Sequence, residues 1–229
     1  MTSSSVSVVM AAWNAERFIE EALASAVGQS TPPAAIVVVD DGSTDATASL
    51  AASFDDSVTV LSREHAGIGA ARTAGIAATT TDLVAFLDAD DVWMTHKLER
   101  QLALIDDDPA VEAVFCLMDE FNDPVHRPPA GVRAPRRGVP AALSSAALLR
   151  RELVERLGPF EATPVGEWVG WWARARAQDV NEACVPEVLL HRRLHDDNNS
   201  FRRDDHGSTF LEIAREHRRA MRAKRGRES

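Results

Sequence analysis

Four short runs of the chain, Val6–Met10, Ile36–Val39, Val58–Leu61 and Leu83–Leu87, are apolar at almost every position. Unbroken runs of this length are expected of strands buried on both faces of a parallel sheet. Between them, Ala15–Gly28, Thr44–Phe54 and Gly69–Ala78 are Ala-rich with apolar residues at helical spacing, and Ser43 stands where it would cap the second of these helices. Strand and helix therefore alternate as βαβ units, and the expected architecture is α/β and Rossmann-like, a mostly parallel central sheet flanked by helices in a single domain.

The pattern loosens after Val92. A helix is expected after Trp93 and a strand over Val111–Met118, followed by a loop over Asn122–Pro140 that is rich in Pro, Arg and Gly. Ser144–Leu157 reads as a capped helix ended by Gly158 and Pro159, and Glu167–Gln178 as another helix carrying three tryptophans. Val185–Leu194 reads as a last strand, and Thr209–Arg225 as a helix that becomes strongly basic.

Composition narrows the function classes. With 45% hydrophobic and 26% charged residues the chain is an ordinary globular protein. A formal net charge of −10 opposes non-specific binding of nucleic acid, so no nucleic-acid partner is expected. Neither a secretory leader nor an apolar run of about 20 residues is visible, which predicts a cytoplasmic protein without a membrane anchor. The basic tail, with Phe210, Leu211 and Ile213 before its charges, leaves peripheral membrane contact open. Cys116 and Cys184 lack metal-type spacing and are expected to be buried thiols.

The chemistry concentrates in acids placed at strand ends. Asp40 and Asp41 follow the second strand, and Asp88, Asp90 and Asp91 follow the fourth. Ligands of open parallel sheets bind at the carboxyl ends of the strands, so both clusters point to one crevice. Carboxylates repel a phosphate ligand unless a divalent cation lies between them, which implies Mg2+ or Mn2+. The bland reading is that Asp-Asp-Gly-Ser is good turn chemistry and Asp a common helix cap; two clusters at equivalent strand ends favour the functional one.

The runs V-S-V-V-M-A-A-W-N-A-E-R-F-I-E-E-A-L, V-V-V-D-D-G-S-T-D, G-I-G-A-A-R-T-A-G and F-L-D-A-D-D occur in this order. Together they closely resemble the family 2 glycosyltransferases over residues 1–95. The resemblance implies an A-type glycosyltransferase fold and sugar transfer, usually with inversion, from a nucleoside-diphosphate sugar, a UDP-sugar above all, to an acceptor that the sequence leaves unnamed. Residues 1–95 then form the nucleotide-sugar-binding part, 96–205 the acceptor side, and 206–229 a separate basic tail.

By the same resemblance Ala11, where the family commonly has Pro, lies with Trp13 and Glu16 around the base and ribose. Asp41 accepts from the base, Arg72 lies near the donor, Asp88 and Ala89 near the ribose or sugar, and Asp90 on the metal. R-R-L-H-D-D-N-N-S resembles a late family element, which makes His195 a second metal ligand, with Arg193, Asn198 and Ser200 matching around it. Inverting transfer also needs a carboxylate to take the acceptor's proton. G-P-F-E followed by G-E-W-V-G-W-W makes Glu167 that base and Glu161 the runner-up. Trp168 and Gly170 stand where the family often has further acids. Trp168, Trp171 and Trp172 suit a core at helical spacing better than a sugar platform.

Two rivals remain at this level. A nucleotidyltransferase that makes nucleotide sugars wants a Gly-rich basic loop after the first strand, which Met10–Asn14 lacks. A nucleotide-sugar-binding protein with little transferase activity fits the missing acids at 168 and 170.

Overall fold

The computed structural model describes residues 4–131, 134–161 and 166–198. The four apolar runs become β1 (Val6–Ala12), β2 (Ala35–Asp40), β3 (Val58–Ser62) and β4 (Leu83–Phe86), paired in parallel in the order β3-β2-β1-β4. β1, β2 and β4 are buried almost throughout, whereas β3 alternates between half-buried and exposed positions at the sheet edge, which its Val-Thr-Val-Leu-Ser sequence tolerates.

Helices α1 (Ile19–Val27), α2 (Thr47–Ala52) and α3 (Ile68–Ala77) fill the intervals; α1 and α2 are shorter than the apolar spacing predicts, and α3 is shifted by one residue. Residues 15–18 form a turn in which the Ala15 carbonyl accepts from the amides of Phe18 and Ile19. α1 then buries Ile19, Ala22, Leu23 and Ala26, one helical stripe, with Glu20 and Glu21 favourably placed at its positive end. Ser43 does not cap α2; its hydroxyl accepts from the Asn14 amide at 2.9 Å instead. α3 lies so close to the sheet that a Cβ on Gly75 would stand 2.4 Å from Val9 Cγ1, so its seat on β1 requires a glycine there.

Past β4 the sheet becomes mixed. The elements are β5 (Val92–Trp93), α4 (Lys97–Asp107), β6 (Ala113–Asn122), β7 (Val139–Pro140), a 3-10 turn at Ser144–Ala146, β8 (Leu148–Arg150), α5 (Arg151–Leu157), α6 (Glu167–Ala177) and β9 (Glu182–Leu194). The sheet continues β4-β8-β6-β9-β5 with β7 on β6; β8 runs antiparallel to both its neighbours, and β9 parallel to β6. One sheet and one main hydrophobic core thus run through the described residues.

Three expectations are corrected here. Ser144–Leu157 is a turn, a strand and a short helix, because Leu148 pairs with both Ala85 and Val114 and closes the sheet between β4 and β6. Pairing with two open strand edges outweighs the helical spacing of its apolar residues. The loop over Asn122–Pro140 begins inside β6 and ends in β7. Cys184 is exposed, while Cys116 is buried as expected. Phe115 lies opposite Cys184 and Cys116 opposite Val185, so the two thiols face opposite sides of the sheet. Among the described residues no helix is long and apolar enough to cross a membrane. The basic stretch Thr209–Arg225 and Ser200 lie outside them.

Candidate active site at the carboxyl ends of the strands

The loops after β1 and β2 are laced together. Asn14, held in the left-handed region at φ 50°, accepts from the Thr44 amide at 2.8 Å, and the Ala15 amide donates to Thr47 Oγ1 at 2.7 Å. Asn is among the few residues that tolerate this backbone while bonding locally. Glu16 accepts from the Ala46 amide at 2.9 Å, at the start of α2. Trp13 stays 45% exposed and lies against the His65 ring, centroids 4.8 Å apart, so it is a surface aromatic at the crevice and not a core one. Ala11 packs beside Val37, Val39 and Ala71 under α3.

Asp41 is 2% exposed, and its carboxylate is occupied by its own surroundings. It accepts from the amides of Ala66 at 3.1 Å and Gly67 at 2.7 Å, with Arg63 Nε at 3.4 Å and His65 Nδ1 at 3.0 Å. Gly42, at φ 77°, makes the turn that permits this: a Cβ there would meet the His65 backbone nitrogen at 2.8 Å. Beside this loop lies an open hollow of about 560 Å³ lined by Val39, Leu61, Arg63, Glu64, His65, Ala66 and Ala74.

A second constellation is centred on Arg72, 2% exposed on α3. Its Nη2 donates to Asp88 Oδ1 at 2.6 Å and to Ser144 Oγ at 2.8 Å, and its Nη1 donates to Glu167 Oε1. Burial alone would weaken the guanidinium's hold on its proton; Asp88 and Glu167 outweigh burial and raise it. One arginine therefore joins a carboxylate after β4 to the carboxylate at the head of α6. Glu167 is 8% exposed. Glu161 is more open and pairs with Arg174, and its Oε2 lies 3.9 Å from where a Cβ at Gly170 would stand. The space left by the missing side chain at 170 thus faces a carboxylate. Trp168, Trp171 and Trp172 are buried and stack on one another and on Phe160, which makes them core.

The third constellation surrounds Asp90. The His195 Nε2 lies 3.0 Å from Asp90 Oδ2, and Asn198 Nδ2 donates to the same oxygen at 3.2 Å. His195 is brought back by β9 and fixed by the Asn198 side chain, which accepts from its amide at 2.6 Å, and by Phe18, ring centroids 4.6 Å apart. Buried Arg193 ties this element to the acids: its Nε donates to the Asp90 carbonyl at 3.1 Å, its Nη1 to Asp123 at 2.7 Å, and its Nη2 to Glu21. Asp91 is buried next to them, and burial followed by the charges of Asp90 and Asp88 pushes its carboxyl well above the usual range. Ala89 is buried between these acids.

The donor set decides whether a divalent cation fits. Among the described residues no three His, Cys, Asp or Glu side chains converge on one point. A cation that also binds substrate phosphates needs only one or two protein carboxylates, the rest of its shell being phosphate oxygen and water. Asp90 with His195 supplies such a partial set, whereas Asp88 is committed to Arg72 and Asp41 to backbone amides. The residues present therefore fit a cation shared with a phosphate ligand.

Asp88, Arg72 and Glu167 come together, as do Asp90 and His195; Asp41, Glu16 and Trp13 line the loops beside them. Sequence reasoning missed Asn14, Arg63, Ser144, Ser145 and Asp123. Asn14 and Arg63 flank recognisable motifs, but Ser144 and Ser145 fall in the part of the expected helix Ser144–Leu157 that is a turn and a strand instead, only Arg151–Leu157 being α-helical.

Residues 7–158 match the family described as Glycosyl transferase family 2. The UDP-Glc:alpha-D-GlcNAc-diphosphoundecaprenol beta-1,3-glucosyltransferase WfgD of Escherichia coli is 34% identical over 102 residues, 44% of this chain and 40% of that protein. Residues 1–349 of S. aureus TarS, solved in complex with UDP-GlcNAc, superpose with a TM-score of 0.71 at 20% identity, covering 85% of this chain and 60% of that one. The mannosyltransferase PcManGT of Pyrobaculum calidifontis, solved with GDP-Man and Mn2+, superposes with a TM-score of 0.67 at 21% identity over 100% of this chain and 66% of that one. At such identities these two structures establish a shared fold, the A-type glycosyltransferase architecture expected from the sequence. The stretch shared with WfgD is well under half of that protein's length.

Proposed function

Because the chain belongs to glycosyl transferase family 2, we propose that it moves a sugar, with inversion, from a nucleoside-diphosphate sugar to an acceptor hydroxyl, assisted by a divalent cation. The observation that carries this is the return of His195 to within 3.0 Å of Asp90, 105 residues earlier in the chain, at the rim where the acids of β2 and β4 gather. In this reading Asp90 and His195 hold Mn2+ or Mg2+, which when bound supplies positive charge against the leaving diphosphate.

The remaining chemistry belongs to the chain's own side chains. Asp88, with Ala89 behind it, faces the ribose or sugar and is fixed from the other side by Arg72 and Ser144. Asp41, Glu16, Trp13 and Ala11 shape the base end: Asp41 braces the loop that carries His65, and His65 with Trp13 forms an aromatic pair at its mouth. Glu167 takes the proton of the acceptor hydroxyl as the oxygen attacks the anomeric carbon. Its link to Arg72 keeps the proton acceptor in register with Asp88. A second reading assigns the proton to Glu161, favoured by its greater exposure and by the space over Gly170. UDP-sugars and GDP-mannose are the donors to try first, since TarS and PcManGT were solved with these.

Release of nucleoside diphosphate from UDP-Glc, UDP-GlcNAc and GDP-Man in the presence of Mn2+, with the anomeric configuration of the product read by NMR, tests the proposal. We expect release from one donor, lost in Asp90→Ala. Glu167→Gln should suppress turnover while leaving nucleotide binding intact; suppression by Glu161→Gln alone assigns the base to Glu161. Absence of both release and nucleotide binding refutes the proposal.

A further inference from the structure

Lys97 opens α4 and is fully buried, yet no carboxylate faces it among the described residues. Its Nζ donates to Gln101 Oε1 at 2.7 Å and stands 4.0 Å over the Trp93 ring. A buried ammonium without an anion is costly, and a methionine would fill the same volume more cheaply. What the lysine contributes is direction. Because it only donates, the amide oxygen of Gln101 must face it, which turns Gln101 Nε2 toward the carbonyls of Val114 and Ala146, 2.8 Å from each. Trp93, held beneath the ammonium, donates through Nε1 to the Ser145 carbonyl at 2.7 Å.

Both arms therefore end on consecutive carbonyls of the Ser144–Ala146 turn, and the hydroxyls of that turn hold the donor-side residues. Ser145 Oγ accepts from the Asp88 amide at 3.1 Å, and Ser144 Oγ accepts from Arg72 at 2.8 Å. We propose that Lys97 is a positioning residue for sugar transfer, acting through Gln101 and Trp93 on the Ser144–Ala146 turn to set Asp88 and Arg72 against the donor. The inference rests on the donor-site reading above. The titratable group facing Lys97 from the packed elements is Cys116 of β6. Burial lowers Lys97 to about 8 and raises Cys116 to about 11, so only the lysine changes charge between pH 7 and 9.

The test is calorimetric binding of UDP and GDP with Mn2+ to wild type, Lys97→Met, Gln101→Leu and the double variant, alongside thermal melts. We expect Lys97→Met to melt no lower than wild type, because an unpaired buried charge is gone, yet to bind the nucleotide about 10–100-fold more weakly, the usual loss for an outer-shell partner. Gln101→Leu should weaken binding similarly, and the double variant no more than either single change. Wild-type affinity should fall above pH 8, and that of Lys97→Met should stay flat. Should Lys97→Met not fold, Gln101→Leu and the wild-type pH profile decide. Unchanged affinity in the variants, with a wild type whose binding needs Mn2+ and Asp90, overturns the role of Lys97 and leaves the donor site standing. A wild type that binds neither nucleotide overturns both.

Discussion

Asp41 and Asp90 occupy equivalent places, just past the carboxyl ends of parallel strands, yet they are held in opposite ways. Asp41 is enclosed by its own nearby loop, by the backbone amides of Ala66 and Gly67 and by the side chains of Arg63 and His65, donors that cannot leave without unmaking the loop. Asp90 is held by side chains, His195 and Asn198, that arrive from the far end of the sheet. The first is a brace within one half of the molecule; the second is a junction between halves. An acid at a strand end is thus not informative by itself, and what satisfies it decides its role.

The sharpest way to break this distinction is at Arg72, where the halves are joined through buried charge. Arg72→Leu leaves Asp88 and Glu167 without their shared counter-ion, and we expect a loss of about 3–5 kcal/mol in urea unfolding. A loss below about 1 kcal/mol would show that the two halves are not coupled there.

Next, Asp41→Asn should cost about 2 kcal/mol, since an amide cannot replace a carboxylate receiving several donors. Asp90→Asn should change stability by no more than about 0.5 kcal/mol, because it relieves the repulsion with buried Asp91. Equal losses in the two variants would erase the difference between brace and junction.

Alkaline pH sharpens the comparison at the buried lysine behind the Ser144–Ala146 turn. Lys97 is lowered from 10.5 to about 8, so between these values the unfolded chain binds the extra proton and stability rises with pH. Cys116 is raised from 9.0 to about 11, so from pH 9 the native state holds the extra proton and stability falls by a matching slope. The sum is a gain of about 1 kcal/mol between pH 8 and 9, beyond which these two slopes cancel and Cys184, a thiol also raised by burial, adds a shallow fall. The chain has no tyrosine to blur this window. Lys97→Met should remove the rise and expose the fall, as read by chemical denaturation at each pH.

The smallest effect belongs to the lacing of the first two loops. Ser43→Ala removes the acceptor of the Asn14 amide, and we expect a loss of about 1 kcal/mol with little change in α2, which Ser43 does not cap. A loss of helix content by circular dichroism would argue that Ser43 caps it after all.

The first half of the molecule was legible because its signals are local. The apolar runs of β1, β2 and β4 show burial on both faces directly, and the acids lie within a few residues of the strand ends. The second half was less so. Ala146, Ala147, Leu148 and Leu149 read as helix, but the open edges of β4 and β6 capture Leu148–Arg150 as a strand, and no local pattern announces two waiting neighbours. The contact from Arg72 to Glu167 spans 95 positions, and the turn that carries Ser144 and Ser145 leads directly into β8. His195 was found through a motif; its contact with Asp90 came from the fold.

The most direct test of the central claim, that Asp90 and His195 form a cation site shared with a nucleotide, is Mn2+ uptake followed by electron paramagnetic resonance in the presence of UDP or GDP. Wild type should lower the signal of free Mn2+ below the level left by the same nucleotide without protein, and Asp90→Ala should not, with His195→Ala in between. Undiminished uptake by Asp90→Ala would contradict the account.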